Sequence, residues 1–446
     1  MAPSTGITIA ATAVTTATLL AFLRWRPIRR SIWDYTPDAF PGARDVNTPY
    51  GSIRVYEFGP KTGRKVLLVH GISTTCQTLG PIAHGLVRHA GCRVLLFDLF
   101  GRGFSDGVGD LPHDARLYTT QMLLALASSP LSWSGYGAFD LLGYSMGGGV
   151  AVPFAAAFPH MLPSTILLAP AGPIRPERFG VAARFVFTSG IVPERLLAAI
   201  TRRRLRQPIA SATKDRSKSG KAQPKKTPPK VIGEVELAVA AVQAVERAVE
   251  SAVQEAVDQT VVPIDDAVAE VADAQAAEAE ERPPETGGTV LSTQVMRYVR
   301  WMLMHHDGFV PAFMSCVRDA PLMGQQAAWQ TLAAAVQQKG DDRLPLCVVL
   351  GHHDKVVSAL DYEEDVLPML GGRSAVTWVI VPGGHEFPMT YSRSVLRAIY
   401  RFWGGMDEAL AKLHEDEETE VAETKTKVVS STYNGKKCGA AMVEAR

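Results

Sequence analysis

A five-residue run with a serine at its centre, Gly143-Tyr144-Ser145-Met146-Gly147, constrains the fold of this chain most strongly. It ends an apolar stretch and begins a run of small residues, a pattern typical of a strand that turns directly into a helix. Glycines two positions before and after the serine are expected to let the backbone bend into a strained turn that exposes the hydroxyl. The helix that follows presents free N–H groups and its positive dipole end beside that hydroxyl.

Two later apolar runs each end close to an ionisable residue. Residues 345–351 are typical of a buried strand and lead to Asp354, and residues 375–381 lead in the same way to His385. Open parallel sheets gather their active sites at the carboxyl ends of the strands. A histidine can take the proton of a serine, and a buried carboxylate can orient that histidine. Ser145, Asp354 and His385 are therefore the predicted catalytic residues.

Acyl transfer also requires backbone donors for the negative charge that develops on the carbonyl oxygen. The amide of Met146, directly after the serine, is one predicted donor. The amide of Ile72, which follows the strand-like run 65–69 and the pair His70-Gly71, is the other. A glycine-rich loop after a further strand contains Arg102, which is predicted to tie that loop down rather than to touch substrate.

Together these motifs resemble the α/β-hydrolase superfamily, over roughly residues 45–175 and 290–405. The resemblance implies that Ser145 is the nucleophile, His385 the general base and acid, and Asp354 its orienting partner. Superfamily members that act on epoxides or haloalkanes have aspartate at the nucleophile position, so the serine argues against both. The Ser-Met-Gly-Gly elbow is similar to that of monoacylglycerol lipases, carboxylesterases and carbon–carbon bond hydrolases. Membrane-anchored monoglyceride lipase-like members are closest in layout.

Strand-like runs alternate with helical ones along the chain, which predicts an α/β fold with a doubly wound, mostly parallel sheet. The resemblance implies eight strands, a helical lid and no requirement for a cofactor or metal. Residues 51–58 alternate in polarity and predict an exposed antiparallel edge strand. Five segments are predicted: an anchor with a basic flank at 1–30, the first part of the core at 45–172, a lid insertion at 173–325, the second part of the core at 326–405, and a disordered tail at 406–446.

Residues 202–290 of the insertion are of low complexity. Residues 202–230 are basic and predicted to be disordered, whereas residues 234–281 are acidic and carry valines at helical spacing. We expect this segment to loop out of the lid. Two alternatives remain open: a regulatory arm that meets anionic lipid or a partner, and a fold-back of the two oppositely charged halves on each other.

The N-terminal residues 6–23 carry no charge and are followed by Arg24, Arg26, Arg29 and Arg30. About 18 apolar residues are near the lower limit for a membrane span, and the basic flank follows the segment instead of preceding it. A membrane anchor with the catalytic domain facing the cytosol is predicted, at the endoplasmic reticulum or the mitochondrial outer membrane. A mitochondrial presequence and a partly buried helix are the alternatives.

The composition excludes several classes of function. A formal net charge of +1 gives no indication of nucleic-acid binding, and the oligomeric state is not indicated. The cysteines are odd in number and scattered, so they predict neither a disulfide framework nor a metal site. Cys76, after the Ile72 turn, is interpreted as a small buried hydrophobe. The five cysteines are Cys76, Cys92, Cys316, Cys347 and Cys438.

The expected function is hydrolysis of carboxylic esters, lipid-like acyl esters in particular, through an acyl-serine intermediate. One alternative is a hydrolase of carbon–carbon bonds or of another small molecule that uses the same triad. A second is a non-catalytic module whose pocket binds an apolar ligand, against which stands the presence of a suitable residue at every catalytic position.

Overall fold

Eight strands form one sheet in the computed structural model, which describes residues 36–173, 186–206, 298–354 and 356–419 together with positions 251 and 253. The inner strands are short runs of Val, Leu and Ile that are buried on both faces, as expected where helices cover a parallel sheet. The strands are β1 (Arg44–Thr48), β2 (Gly51–Phe58), β3 (Lys65–Val69), β4 (Arg93–Phe97), β5 (Asp140–Tyr144), β6 (Thr165–Leu168), β7 (Leu346–Gly351) and β8 (Thr377–Val381).

The strands follow the spatial order β1-β2-β4-β3-β5-β6-β7-β8. Strands β3 to β8 run parallel, with Leu67 of β3 opposite Leu95 of β4 on one side and Leu141 of β5 on the other. Only β1 and β2 pair antiparallel, with each other and, for β2, with β4. The predicted mostly parallel, eight-stranded α/β sheet is confirmed. The strand order reverses at β3, and open parallel sheets typically bind their ligands beside the carboxyl ends of the strands at such a reversal, here β3 and β5.

The prediction that residues 51–58 form an exposed edge strand was wrong. Residues 51–58 do pair antiparallel, but β1 covers their outer side and forms the edge of the sheet. From Ile53 onward most of β2 is buried, whereas β1 alternates between intermediate and exposed residues. The alternating polarity of β2 is accommodated because the buried Arg54 and Glu57 form ion pairs, Arg54 with Asp45 of β1.

Helices pack against the sheet in two sets. In one set, the helix at Gly80–Ala90 contacts the helix at Ser392–Trp403. In the other, the helix at Met146–Ala157 contacts those at Ala115–Ala127 and Gln326–Val336. A short helical turn at Phe387–Thr390 precedes α9. The helices are α1 (Gly80–Ala90), α2 (Ala115–Ala127), α3 (Met146–Ala157), α4 (Glu194–Arg206), α5 (residues 298–305), α6 (Phe309–Asp319), α7 (Gln326–Val336), α8 (Ala359–Met369), α9 (Ser392–Trp403) and α10 (residues 407–419).

Helices α4, α5 and α6 belong to the predicted insertion at 173–325. The predicted disorder from residue 202 was wrong for the first five residues, because α4 continues to Arg206. Thr201 and Leu205 are buried, and this packing extends the helix into the arginine-rich sequence. The rest of the low-complexity segment 202–290 lies outside the described residues, except for positions 251 and 253. Whether the insertion acts as a lid remains a prediction.

The predicted disordered tail was also wrong at its start, where residues 407–419 form α10. Met406, Ala409, Leu410 and Leu413 recur at helical spacing and pack against the core. The acidic residues interspersed with these apolar positions made the helical pattern hard to recognise in the sequence. The other end of the helix is held by Asp416, whose carboxylate accepts hydrogen bonds from Arg88 and His89 of α1.

None of the described helices is long and apolar enough to cross a membrane. The predicted anchor at residues 1–30 lies outside the described residues.

Candidate active site

Ser145 occupies the turn between β5 and α3 with φ of 55° and ψ of −123°. A positive φ is rare for residues other than glycine and indicates local strain. Three backbone hydrogen bonds hold this geometry. The Ser145 N–H donates to the Leu168 carbonyl at 3.0 Å, and the Ser145 carbonyl accepts from Gly149 N–H at 3.0 Å and Ala171 N–H at 2.9 Å.

The glycines of the elbow provide space, not backbone freedom. A Cβ atom on Gly147 would lie 2.2 Å from the Val69 carbonyl oxygen and 2.5 Å from that of His70. One on Gly143 would lie 2.5 Å from the Gly147 carbonyl oxygen. Neither glycine has a positive φ, so the expectation that they bend the strained turn is corrected: the strain is at Ser145 itself.

The three predicted catalytic side chains meet at the carboxyl ends of β5, β7 and β8. The Oγ of Ser145 lies 2.9 Å from Nε2 of His385, and Nδ1 of His385 lies 2.8 Å from Oδ2 of Asp354. All three residues are buried. If Nδ1 of His385 donates to the carboxylate, Nε2 is left to accept the hydroxyl proton of Ser145.

The Asp354 carboxylate is fixed on its other side by the backbone. Its Oδ1 accepts hydrogen bonds from the amides of Val356 at 2.8 Å and Val357 at 2.7 Å. Burial lowers the pKa of His385, but the charge and hydrogen bond of Asp354, with a further contribution from Glu386, outweigh it and raise that pKa above its ordinary value. The surroundings of His385 therefore stabilise its protonated form more than they would for an isolated histidine.

The two predicted oxyanion donors belong to segments that lie next to the serine. Met146 is the first residue of α3, where backbone N–H groups have no partner within the helix. The turn that contains Ile72 lies against the serine, because a Cβ atom on Gly71 would approach the Ser145 Cβ to 3.2 Å. Both amides thus belong to segments that adjoin the hydroxyl, and their catalytic role remains a proposal.

His70 holds the Ile72 turn in place. Its Nε2 accepts a hydrogen bond from Leu99 N–H at 2.9 Å, so its Nδ1 carries the proton and donates to the Gly71 carbonyl at 2.9 Å. Burial, with a smaller effect from the Arg102 charge, lowers the pKa of His70 to about 3. The ring is therefore neutral near pH 7 and acts as a structural link between two loops.

Arg102 is fully buried and donates to backbone and side-chain acceptors around its loop, which confirms the prediction that it ties the loop down. Cys76 is confirmed as a buried hydrophobe. Burial, with the nearby Asp98, raises the pKa of its thiol well above the ordinary value, which disfavours the thiolate.

Two tyrosines that support the site were not predicted from the sequence. The Tyr144 hydroxyl donates to the His385 carbonyl at 2.9 Å, and its ring packs 5.3 Å from the imidazole. The Tyr362 hydroxyl donates to the Pro170 carbonyl, next to the segment that binds the Ser145 carbonyl. Tyr144 occupies a variable position of the elbow motif and Tyr362 is distant in sequence, so neither carried a local signal.

Among the described residues, no group of three or more His, Cys, Asp or Glu side chains could hold a metal ion. His352 and His353 lie in an exposed turn after β7, as expected for loop residues. Asp140, at the start of β5, binds Arg64 and Ser164 away from the serine.

A family model described as "Serine aminopeptidase, S33" matches residues 60–259, which include the elbow and the Ile72 turn. The strand order, the serine at the β5–α3 turn and this match agree. These findings support the α/β-hydrolase superfamily as the family of this chain.

Two curated relatives that match part of this chain are named as serine hydrolase-like proteins. A serine hydrolase-like protein of Dictyostelium discoideum is 29% identical over 139 residues, which are 30% of this chain. A serine hydrolase-like protein of Danio rerio is 32% identical over 120 residues, which are 27% of this chain. The chain spans little more than a third of either relative, 37% and 35% respectively.

Among solved structures, the enol-lactonase of Burkholderia xenovorans is 14% identical and has a TM-score of 0.46, with 81% of this chain and 99% of that chain covered. A likeness at this level carries no argument about activity.

Proposed function

We propose that the chain is a serine hydrolase that cleaves carboxylic esters through an acyl-serine intermediate. The observation that carries the proposal is the continuous pair of contacts from Ser145 Oγ to His385 Nε2 and from His385 Nδ1 to Asp354 Oδ2. A serine hydroxyl is a weak nucleophile until an adjacent base takes its proton, and the hydrogen-bond distances among Ser145, His385 and Asp354 support these roles.

In the first step, Ser145 Oγ forms a bond to the carbonyl carbon of the ester while its proton moves to Nε2 of His385. The carbonyl π electrons move to the oxygen, and the amides of Met146 and Ile72 hold the resulting oxyanion. As the carbonyl re-forms, the bond to the alcohol oxygen breaks. The leaving oxygen takes the proton from Nε2, and the acyl group remains on Ser145.

In the second step, a water molecule attacks the acyl carbon and gives one proton to His385. The bond to Ser145 Oγ then breaks, and His385 returns that proton to the serine. Asp354 orients the imidazole and stabilises the imidazolium, a role supported by the raised pKa of His385. The products are a carboxylic acid and an alcohol, and no cofactor enters the cycle.

For the substrate, we propose a lipid-like acyl ester. Large apolar side chains are exposed on the described parts of the insertion: Ile191 before α4, Leu196 on α4 and Met304 on α5. Exposed apolar groups favour contact with apolar ligands or a lipid surface, and methionine adapts to irregular chains.

Labelling with a fluorophosphonate tests the serine mechanism. The folded protein should be labelled, and Ser145→Ala should abolish labelling while the exposed control Ser134→Ala retains it. Asp354→Asn should lower kcat by roughly 10⁴-fold, because the histidine would take the wrong tautomer. Absence of labelling in well-folded protein, or labelling that persists in Ser145→Ala, would contradict the proposal.

The substrate class is tested separately. Hydrolysis rates are measured for monoacylglycerols of increasing chain length and for short p-nitrophenyl esters. We expect kcat/KM to rise with acyl length. Equal rates across the series would contradict the lipid assignment and leave the serine mechanism intact.

A further inference from the structure

The loop at residues 98–107, which follows β4, is in close backbone contact with the insertion helices. A Cβ atom on Gly101 would lie 2.2 Å from the Cβ of Ala312 in α6, and one on Gly107 would lie 2.6 Å from the Cα of Gly308. Nε2 of His306 lies 2.7 Å from the Ser105 carbonyl oxygen. Contacts this tight mean that α6 cannot shift far without moving the loop.

The same loop also holds the Ile72 turn, which carries a proposed oxyanion donor. Leu99 N–H donates to the ring of His70, and Nε of Arg102 donates to the Ile72 carbonyl at 2.9 Å. The loop 98–107 is therefore the shared neighbour of the insertion and the oxyanion turn.

The side chain of Arg102 contacts both the Ile72 turn and α6 of the insertion. Its Nη2 lies 3.2 Å from Sγ of Cys316 in α6, and the Tyr118 hydroxyl contacts that sulfur at 3.1 Å. The guanidinium is fully buried and forms no ion pair with a described carboxylate. A buried cation is costly unless its donors are satisfied, and among the described contacts the thiol of Cys316 is the acceptor for Nη2. The acceptors of Arg102 are the Ile72 carbonyl, the Phe100 carbonyl, the Tyr118 hydroxyl and Cys316 Sγ.

We infer that Arg102 is a positioning residue that couples α6 of the insertion to the oxyanion turn through Cys316. Arg102 fixes the Ile72 peptide, and Cys316 keeps Arg102 oriented, so a displacement of α6 would be transmitted to the oxyanion donor. This inference rests on the proposed serine mechanism. Because the oxyanion forms only in the transition state, weakening the coupling should lower kcat and leave KM nearly unchanged.

A pair of substitutions at Cys316 tests the coupling. Cys316→Ala removes the acceptor for Arg102, whereas Cys316→Ser keeps one. We expect kcat to fall about tenfold in Cys316→Ala and to stay within about threefold of wild type in Cys316→Ser, with KM little changed in both. The matched control is Cys347→Ala, which removes an equally buried thiol from β7, where it has no contact with Arg102. Its kcat should stay within about twofold of wild type.

Thermal unfolding of each variant separates misfolding from a catalytic effect. The variant Arg102→Lys gives a second measurement, because lysine keeps the positive charge but loses the planar guanidinium that contacts several acceptors at once. It should reproduce the kcat loss of Cys316→Ala. An unchanged kcat in folded Cys316→Ala, or equal losses in Cys316→Ala and Cys347→Ala, would overturn the coupling while the wild-type activity stands. An inactive wild-type protein would instead overturn the proposed function, and the coupling with it.

Discussion

At the scale of single residues, the site depends on a strained serine that its surroundings hold in place. A non-glycine residue with positive φ costs on the order of 1–3 kcal/mol and persists only where neighbouring contacts over-determine it. At Ser145 those contacts are the backbone hydrogen bonds to Leu168, Gly149 and Ala171. The five-residue motif predicts the turn, but two of the three partners that hold it, Leu168 and Ala171, come from β6 and the segment after it.

The pH dependence of hydrolysis should report the raised pKa of His385. Ser145 is activated only by a neutral imidazole, so the rate should rise with pH through the His385 pKa, and the midpoint should lie above the ordinary histidine value of 6.5. The pKa values of His70 and His113 are lowered to about 3 and about 4, so neither titrates in this window. The measurement is a pH profile of kcat/KM with an uncharged ester, and a midpoint below 6.5 would contradict the assignment.

Replacing Gly147 by alanine should damage the elbow. The added methyl would meet the backbone carbonyls of Val69 and His70, which cannot move without disturbing β3. Overpacking of this kind costs about 1–3 kcal/mol, and a displaced Ser145 should lower kcat by at least tenfold. Chemical denaturation and steady-state kinetics measure both effects. The control is Gly109→Ala, where the methyl would enter open space; equal behaviour of the two variants would refute the steric argument.

At the scale of elements, burial decides which sequence patterns become structure. Apolar runs of Val, Leu and Ile predicted the inner strands well because a strand buried on both faces carries its signal in five or six consecutive residues. The edge strand β1 and helix α10 were missed because their signals are weak. The sequence of β1 is polar, and the apolar stripe of α10 is interspersed with charges.

Helix α10 offers a test of that apolar stripe. Leu413 is 1% exposed, so Leu413→Ala should lower the free energy of unfolding by about 2–3 kcal/mol through lost burial and the cavity left behind. The neighbouring control Lys412→Ala, on the exposed face, should change it by less than about 0.5 kcal/mol. Urea denaturation measures both. Similar values for the two variants would show that the helix does not pack as described.

At the scale of the whole molecule, the loop 98–107 contacts both the insertion and the turn that contains Ile72. These contacts join segments that are far apart in the chain, as in the contact between Arg102 and Cys316, 214 positions later. Composition and charge say little about what the whole molecule binds. A net charge of +1 gives no indication of a nucleic-acid partner.

For the N-terminal residues, we propose that 6–23 anchor the protein in a membrane with the catalytic domain facing the cytosol. The full chain should sediment with membranes and resist carbonate extraction, and a chain that starts at Ser31 should be released. Extraction of the full chain as readily as the shortened one would contradict the anchor. Cleavage near residue 30 on import into mitochondria would favour the presequence instead.

The sequence by itself determined the elements and motifs whose information is local. Short windows specify strand and helix periodicity, and the elbow, the pair His70-Gly71 and the chain order of Ser145, Asp354 and His385 are legible without coordinates. Only the tertiary structure decided which distant groups touch: the hydroxyl and imidazole that meet across 240 positions, the Tyr144 bond to the His385 backbone, and the edge position of β1. Such contacts follow from strand order and packing of the whole sheet, which no local pattern encodes.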